Sequence, residues 1–422
     1  MNRFVLAPLL IISGVLLLGA SLGVSDGKDQ LIIRVPSDYP TIQQAISAAS
    51  PGSMVMVSSG IYQENLIVNK TIMLLGEEKT GTIIDGEGGG AVILVRANDV
   101  LIDGFTVQGS SISSSIAVQG SENVTVRGNI LTRSLSCGII LSHSNCCRII
   151  GNIASLNGYC DVGLCRGAGM VLVQSHNNTI TGNIIVSNVF DGIILQDSNN
   201  NSIQSNTIED SGFCGIEFLD SSNNTVYHNN FISNSSHIGK PANNSVWKNY
   251  WDSYAGLDDG SNGRMAGDGV GDTDLPYGTD DYPLVRPLQP ILVVWANTAF
   301  PVALDGNSTI SWFRFLQTEK KITFNITGPQ DTTGYCNITI PKTLLNGNPW
   351  TIKLDKIDIS LQTVITENQT HSSIYFTYGH SMHSIQITGT QVIPEFNAYN
   401  MLTILWTLAF ILVILKRKSC QS

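Results

Sequence analysis

An asparagine recurs at a nearly fixed interval through the middle of the chain, and this repeat limits the possible folds more than any other feature. Successive members lie 23, 31, 23 and 23 residues apart, and each precedes a short apolar run. A period of this size is typical of stacked supersecondary units rather than of one folded sheet. The recurring residues are Asn129, Asn152, Asn183, Asn206 and Asn229.

Apolar residues keep the same register as these asparagines. One lies three positions before each asparagine and another two positions after it, which is the alternation of a strand with one buried face. A second strand follows in each repeat, as in residues 192–195 and 215–218. The pattern predicts a parallel β-helix with three strands in each coil of about 23 residues, with coils about 4.8 Å apart.

This stacking gives the asparagines a structural role. Side-chain amides that lie one strand spacing apart can bond to one another along the axis and form a ladder. Asparagine is also common in turns for local reasons. A turn preference does not explain why the apolar residues stay in phase, so we expect the ladder.

The ends of the chain and its composition indicate an extracytoplasmic protein. Arg3, a following apolar run and then small residues are typical of a secretory signal over 1–25, with an uncleaved anchor as the alternative. An apolar run over 401–415, followed by three basic residues, predicts a membrane helix with a cytoplasmic tail. Charged residues make up 13% of the chain and the net charge is −10, which argues against a nucleic-acid partner.

Changes of pattern divide the rest of the chain. Residues 31–249 form the predicted β-helix with an N-terminal capping helix, and an Asp/Gly-rich terminal segment follows over 250–289. About seven alternating strands over 290–392 predict a β-sandwich. Residues 393–422 complete the chain with the membrane helix. The predicted fold class is all-β with one C-terminal transmembrane helix.

Motifs in residues 31–86 resemble those of a known family. They are V-P-S-D-Y-P-T-I-Q-Q-A-I from Val35, G-I-Y-Q-E-N from Gly60, L-G-E from Leu75 and I-I-D-G from Ile83. They are similar to the opening of the NosD-like proteins, named for a periplasmic copper-binding protein, and the resemblance covers residues 31–285. It implies a right-handed β-helix of the pectin-lyase type on the outer surface. Copper handling is implied by the name alone, because no ligand motif maps onto this chain.

The C-terminal part shows two further resemblances. The predicted sandwich is similar to a C-terminal module of archaeal surface proteins. Pro394, Glu395 and Phe396 resemble the PEF-type sorting signals that archaeosortases recognise, although Asn397 stands where the usual form has a further Pro. The resemblance implies that a sorting enzyme is a partner of the tail.

Aligned coils place two carboxylates in one column at the end of the second strand. Asp197 and Asp220 lie one coil apart, which is about 5 Å, and Glu217 is nearby. Repulsion between them favours a raised pKa of one carboxylate or a cation between the two, and retaining glycosidases place paired carboxylates at a similar separation. Each Asp also precedes Ser and Asn residues of a turn, where a solvated carboxylate needs no function.

The same column and an outward strand face supply candidate binding residues. His143 and Gln174 precede the two Asp residues in the column, and Gln204 and Tyr227 lie outward on neighbouring strands. Repeated polar side chains along a flat face suit an extended polysaccharide or cell-envelope glycan. The outward columns share no chemical theme that identifies the ligand, and their apolar members indicate that part of the face is covered.

An Asp-rich tract suggests a calcium ion as a cofactor. Carboxylates interleaved with Gly in a segment without apolar period are oxygen ligands of the kind that Ca²⁺ takes. The spacing lacks the final Glu of an EF-hand loop, and a solvated acidic linker is the alternative. The candidate ligands are Asp258, Asp259, Asp268, Asp272 and Asp274.

The cysteines suggest one disulfide and one soft-metal site. Cys160 and Cys165 lie in the insertion that lengthens one coil to 31 residues, and a bridge between them would fix that loop. His143, Cys146 and Cys147 form a soft-ligand group that suits Cu(I). Buried or disulfide-bonded cysteine is the more common arrangement.

The sequence therefore predicts a surface-anchored β-helix protein that binds extended glycans or has a structural role in the envelope, without turnover. A polysaccharide lyase, hydrolase or epimerase that uses Asp197 and Asp220 is the enzymatic alternative. Copper delivery is a third. Eleven Asn-X-Ser/Thr sequons permit surface glycosylation, although many such sequons arise by chance in an Asn-rich chain.

Overall fold

The computed structural model describes residues 31–86, 89–158, 167–239, 243–275, 280–295 and 298–392. The chain divides into two compact units, Met1–Gly306 and Asn307–Ser422. The predicted signal, the cysteine pair of the insertion, the sorting motif and the membrane helix all lie outside the described residues. Within the described ranges, no helix has the length and hydropathy needed to cross a membrane.

The first unit is built on a parallel β-helix of about nine coils with about 23 residues per coil, which confirms the predicted solenoid. Each full coil adds one short strand to each of three parallel sheets. Sheet 1 consists of Ile32–Val35, Met54–Val57, Met73–Gly76, Leu101–Asp103, Thr125–Arg127, Arg148–Ile150, Thr179–Thr181, Ser202–Gln204, Thr225–Tyr227 and Ser245–Trp247. Sheet 2 consists of Gly60–Gln63, Thr82–Asp85, Thr106–Gln108, Ile130–Thr132, Ile153–Ser155, Ile184–Val186, Thr207–Glu209, Asn230–Ile232 and Tyr250–Trp251. Sheet 3 consists of Leu66–Val68, Ile93–Val95, Ile116–Gln119, Ile139–Ser142, Met170–Val173, Ile193–Gln196, Cys214–Leu219 and Ser236–Gly239.

The register places equivalent residues of successive coils side by side. In sheet 1, Ile149 pairs with Ile180 and Ile180 pairs with Ile203, and all three are buried in the core. Burying an aliphatic side chain of this size stabilises a fold by roughly 1.5–3 kcal/mol. A single coil cannot bury its own row, so the stacking of coils is what makes the fold stable.

The only α-helix among the described residues, Ile42–Ala48, covers the first coil. Its residues Ile42 and Ile46 pack into the core. The backbone N–H groups of Ile42 and Gln43 donate to the carboxylate of Glu64 at 2.9 Å each, which satisfies donors that a helix start leaves unpaired. A solenoid end without such a cover would expose its core and strand edges.

The recurring asparagines are stacked in the turn between sheets 1 and 2. The backbone N–H and the Nδ2 of Asn183 both donate to Oδ1 of Asn206, each at 2.9 Å. Nδ2 also donates to the carbonyl of Ile149 in the preceding coil. The same pattern of bonds joins Asn129, Asn152, Asn183, Asn206, Asn229 and Asn249, a series called here the first ladder.

Two further amide ladders and a serine ladder, which were not predicted from the sequence, occupy the other turns. Between sheets 3 and 1 the second ladder has the same bonds as the first and consists of Asn178, Asn201, Asn224 and Asn244. Between sheets 2 and 3, Asn157 donates to Asn188 in the same way. Successive backbone N–H groups of Ser144, Ser175 and Ser198 donate to the hydroxyl one coil further on. The spacing of 23 residues from Asn178 to Asn201 is the signal that could have revealed the second ladder.

The first ladder ends on a carboxylate. Asn249 directs its backbone N–H and its Nδ2 at Oδ2 of Asp280, at 2.9 and 3.1 Å, so Asp280 takes the place that an asparagine holds in earlier coils. The same carboxylate accepts bonds from Trp251 Nε1 and from the backbone N–H groups of Lys248 and Tyr282. Burial raises the pKa of Asp280, and the donors from Asn249, Tyr282 and Trp251 oppose that shift.

The first unit ends with an antiparallel hairpin, and the described part of the second unit is antiparallel throughout. The hairpin pairs Gln289–Trp295 with Thr298–Gly306. One five-stranded sheet of the second unit has the order Thr309–Leu316, Lys321–Thr327, Met382–Thr388, Thr351–Leu354 and Ile357–Asp358. The other pairings join Thr333–Pro341 to His371–Gly379, His371–Gly379 to Val364–Glu367, and Leu345–Asn346 to Gln391–Val392. Short 3₁₀ helices span Ser261–Gly263, Gln317–Glu319 and Ser360–Gln362.

The end of the first ladder generates a stability prediction. Asp280→Asn turns one acceptor oxygen into a donor that faces N–H groups, so we expect the free energy of unfolding to fall by about 2–3 kcal/mol. Urea-induced unfolding at pH 7, followed by circular dichroism, measures the change.

Asp281→Asn is the matched control, because it removes the same charge from an exposed neighbour. We expect it to change the stability by less than about 0.5 kcal/mol. Equal effects of the two substitutions would show that the carboxylate of Asp280 does not end the ladder.

Candidate functional site

The turns between sheets 3 and 1 carry the predicted column of polar residues. His143, Gln174, Asp197 and Asp220 each follow a strand of sheet 3 and have left-handed backbones, with φ of 51, 46, 48 and 50°. Their main chains are bonded coil to coil, as in the 2.9 Å bond from the N–H of Asp197 to the carbonyl of Leu219. All four side chains are exposed. The structure therefore brings the four residues together along one outer edge.

The candidate catalytic carboxylates do not form one enclosed site. Asp197 and Asp220 lie in water at the turns, where the high dielectric constant weakens their repulsion. Glu217 lies within the strand Cys214–Leu219, is 8% exposed and has Ile194 as its register neighbour. A catalytic carboxylate pair acts best where water is excluded. Asp197, Asp220 and Glu217 do not share a site that excludes water.

The outward face of sheet 1 holds a row of polar and aromatic residues. Gln204 is next to Tyr227 in register, and Trp247 follows Tyr227. The rings of Tyr227 and Trp247 are stacked with centroids 5.1 Å apart and planes 4° from parallel, and His228 lies beside both. Burial raises the pKa of Tyr227 to about 12. Trp247 was not predicted from the sequence, although it lies one coil after Tyr227 in the same register.

Another part of the same face is covered. A Cβ atom added to Gly151 or Gly182 would come within 2.8 or 3.0 Å of a methyl group of Leu292. Ile150 and Thr181, next to these glycines, are each 2% exposed. Packing of the later segment therefore explains the apolar outward residues, and Tyr227 and Trp247 are half-buried at the end of the row.

The carboxylates of the Asp-rich tract accept bonds from nearby backbone. Asp272 accepts the N–H groups of Asp259 and Gly260 at 2.6 and 2.7 Å. Asp258 accepts those of Gly267 and Gly269 at 2.6 and 2.8 Å. These bonds stabilise the turns of the tract. Their acceptors are carboxylate oxygens that were predicted to bind calcium.

Arg264 is the positive centre of this tract. It pairs with Asp274, donates to the carbonyls of Gly271 and Asp281 at 2.5 and 2.7 Å, and lies 4.8 Å from the ring centre of Tyr282.

Within the described ranges, no group of three or more His, Cys, Asp or Glu side chains could hold a metal ion. The five predicted calcium ligands are therefore not gathered around one point.

Burial of Asp268 raises its pKa, and the charges of Asp258 and Asp272 add to the shift. Like charges in a partly buried tract disfavour ionisation of their neighbours. The ordering of this segment therefore depends on the backbone donors and on Arg264, because the carboxylates repel one another.

The residues predicted to bind copper point in different directions. Cys147 lies in the core, with Sγ 3.4 Å from the carbonyl oxygen of Asn145, whereas His143 and Cys146 are exposed. Burial raises the pKa of Cys147 to about 11, which disfavours the thiolate that a soft metal requires. The three residues do not fit a copper ion.

The chain is similar in sequence to one protein family and to one surface protein. A family model described as periplasmic copper-binding protein (NosD) matches residues 46–257. A cell surface glycoprotein of Methanothermus fervidus is 29% identical over 141 residues, which are 33% of this chain and 22% of that protein. The match therefore spans less than a quarter of that relative's length.

Two polygalacturonases are among the solved structures that the chain resembles over part of its length. The enzyme from Erwinia carotovora ssp. carotovora has a TM-score of 0.41 and 17% identity, over 55% of this chain and 79% of the other. The family 28 exopolygalacturonase of Yersinia enterocolitica has a TM-score of 0.39 and 12% identity, over 54% of this chain and 59% of the other.

The opposite orientations of Cys146 and Cys147 predict a difference in reactivity. With the native protein and iodoacetamide at pH 8, we expect alkylation of Cys146 and none of Cys147, because Cys147 is buried and its thiol stays protonated. Peptide mass mapping measures the two sites, and a urea-unfolded sample shows that Cys147 can react. Equal alkylation in the native protein would mean that Cys147 is not in the core.

Proposed function

Because the chain belongs to the NosD family, whose model matches residues 46–257, we propose that it is a cell-surface protein whose β-helix has a structural role in the envelope without polysaccharide turnover. The likeness to a cell surface glycoprotein supports the location. We expect the protein to be anchored by the membrane helix predicted over 401–415 and by the sorting motif at 394–396. The sequence pattern supports this part of the proposal.

One observation carries this proposal: the buried amides of the β-helix are used by the fold itself. The ladder amides bond to the next coil, and Asp280 receives the last of them. Asp197 and Asp220 are exposed on turns, away from the strand position of Glu217. A β-helix whose coils are joined by these buried amide bonds is well suited to bear load or to space other parts of an envelope.

The family's name implies copper, but the described residues do not fit it. A Cu(I) site needs converging soft ligands, and Cys147 is in the core while Cys146 and His143 are exposed. Copper delivery is therefore not part of the proposal.

Glycan binding is a second candidate, and the aromatic row favours it. Tyr227 and Trp247 form a stacked pair on the outward face of sheet 1, with Gln204 next in register. Aromatic faces next to amide groups combine apolar contact with hydrogen bonding, which is the composition of many ligand sites. An extended glycan that crosses the end of the β-helix would meet this row.

The absence of turnover is directly testable. The purified full chain is incubated with pectic, alginate and cell-envelope polysaccharides, and new reducing ends and unsaturated uronates are measured. We expect no product above that of a boiled sample. Product formation that the double variant Asp197→Asn, Asp220→Asn abolishes, with thermal unfolding unchanged, would establish the enzymatic alternative.

Trp247→Ala tests the second candidate. If the aromatic row binds glycans, we expect binding on a glycan array to weaken by about tenfold, the equivalent of roughly 1.4 kcal/mol. Trp312→Ala is the matched control, because Trp312 is an exposed tryptophan of the second unit. The hypothesis is wrong if the parent protein binds no glycan. It is also wrong if the two variants lose glycan affinity equally.

A further inference from the structure

Five of the eleven sequons lie on one edge of the β-helix. We propose that this sequon edge, defined by Asn123, Asn177, Asn200, Asn223 and Asn243, is an array of N-glycosylation sites. The inference rests on the extracytoplasmic location in the proposed function, because sugar transfer to such sequons takes place outside the cytoplasm.

The geometry of the edge presents each acceptor to solvent. All five asparagines are exposed and have left-handed backbones, with φ between 57 and 62°. Their main chains are bonded to a neighbouring coil, as from the N–H of Asn177 to the carbonyl of Asn199 at 3.2 Å. In the described part of the chain, the side-chain amides of Asn177, Asn200 and Asn223 make no hydrogen bond, so they are available for modification.

The second sequon residue is also stacked. Two positions after each asparagine comes a hydroxyl residue that begins a strand of sheet 1, and these strands pair in register. The series is Thr125, Thr179, Ser202, Thr225 and Ser245. From Asn177 to Ser245 acceptor and hydroxyl therefore recur together, once per coil, at a spacing of about 4.8 Å.

A left-handed turn favours asparagine for local reasons, but this preference does not account for the edge. The column His143, Gln174, Asp197 and Asp220 is also left-handed and contains no asparagine. A third left-handed column follows the strands of sheet 2 and consists of Arg133, Leu156, Ser187, Asp210 and Ser233. The backbone therefore tolerates many residue types, and asparagine is selected at the sequon edge alone among these columns.

One coil shows that the two sequon positions change together. Between Asn123 and Asn177 the edge position is Cys146, with φ of 56°, and the residue two positions later is Arg148. The turn keeps its shape without asparagine and without the hydroxyl. In the other coils from Asn123 to Asn243 both are present, which is what an acceptor sequon requires.

Other asparagines are excluded by their bonds. The middle residues of the edge sequons include Asn178, Asn201 and Asn224, which are buried in the second ladder. The sequon residue Asn234 donates Nδ2 to the carbonyl of Ile208 and accepts the N–H of Ser211. The fold thus commits these amides. On the edge, the exposed Nδ2 of Asn123 donates to Asp99 at 2.6 Å and its Oδ1 accepts from Arg148 at 3.3 Å, so Asn177, Asn200 and Asn223 carry the argument.

The modification is a group transfer from a lipid-linked sugar diphosphate. Nδ2 of the asparagine forms a bond to the anomeric carbon of the sugar, and the bond from that carbon to the phosphate oxygen breaks. The diphosphate leaves with the bonding electrons, and Nδ2 loses one proton to a base of the transferase. An occupied edge carries sugars on four successive coils, from Asn177 to Asn243, next to the column that contains Asp197 and Asp220.

Glycopeptide mass spectrometry of the secreted full chain tests the proposal. The chain is produced behind a host leader, in a cell that glycosylates a reporter sequon, so the result does not depend on its natural location. We expect glycans on edge peptides and an unmodified Asn234. Asn200→Gln should remove one glycan mass, and Gln174 shows that the left-handed turn accepts Gln.

A second pair of variants separates acceptor recognition from folding. Thr225→Ala should abolish the glycan on Asn223 and Thr225→Ser should retain it, with thermal unfolding unchanged in both. Edge peptides that stay unmodified while the reporter is glycosylated would overturn the proposal, as would a glycan on Asn234 with a bare edge. Protease accessibility on intact source cells tests the location separately.

Discussion

The paired hydrogen bonds from one asparagine to the next hold the coils of this protein in register. Each ladder residue sends its backbone N–H and its Nδ2 to the same oxygen of the following coil, as Asn183 does to Asn206. A buried donor or acceptor left without a partner costs about 1–3 kcal/mol, so a coil shifted out of place would lose several such bonds at once. The apolar rows supply most of the stabilisation, and the ladders fix which residues face one another.

The ladder has a direction, and this explains how it ends. Each member donates its backbone N–H and Nδ2 to the Oδ1 of the next coil, so the last asparagine needs an acceptor that no further asparagine supplies. Asp280 meets this need with a carboxylate that receives five N–H donors, among them those of Asn249 and Trp251. At the other end Glu64 receives two backbone donors of the capping helix. Both ends of the solenoid are thus joined to neighbouring segments through buried or half-buried carboxylates.

Repetition determined how much could be predicted from the sequence. The coil length, the apolar rows and the first ladder follow from one period, but the second ladder was missed because Asn178 and Asn201 look like ordinary turn residues beside exposed asparagines. Asp280 could not be found, since it comes 31 residues after Asn249 in a segment without a repeat. The Asp-rich tract resembled a cation site because composition does not reveal that Asp258 and Asp272 accept backbone N–H groups.

A charge-matched pair of substitutions tests the ladder most directly. Asn206→Asp removes the Nδ2 donor and buries a charge in the first ladder, while Asn200→Asp adds the same charge at an exposed left-handed turn of the same coil. In urea unfolding at pH 7, we expect the first to lower the free energy of unfolding by about 3 kcal/mol or more. The second should change it by less than about 0.5 kcal/mol. If both variants unfold at the urea concentration of the parent protein, amide bonds between coils do not hold this fold together.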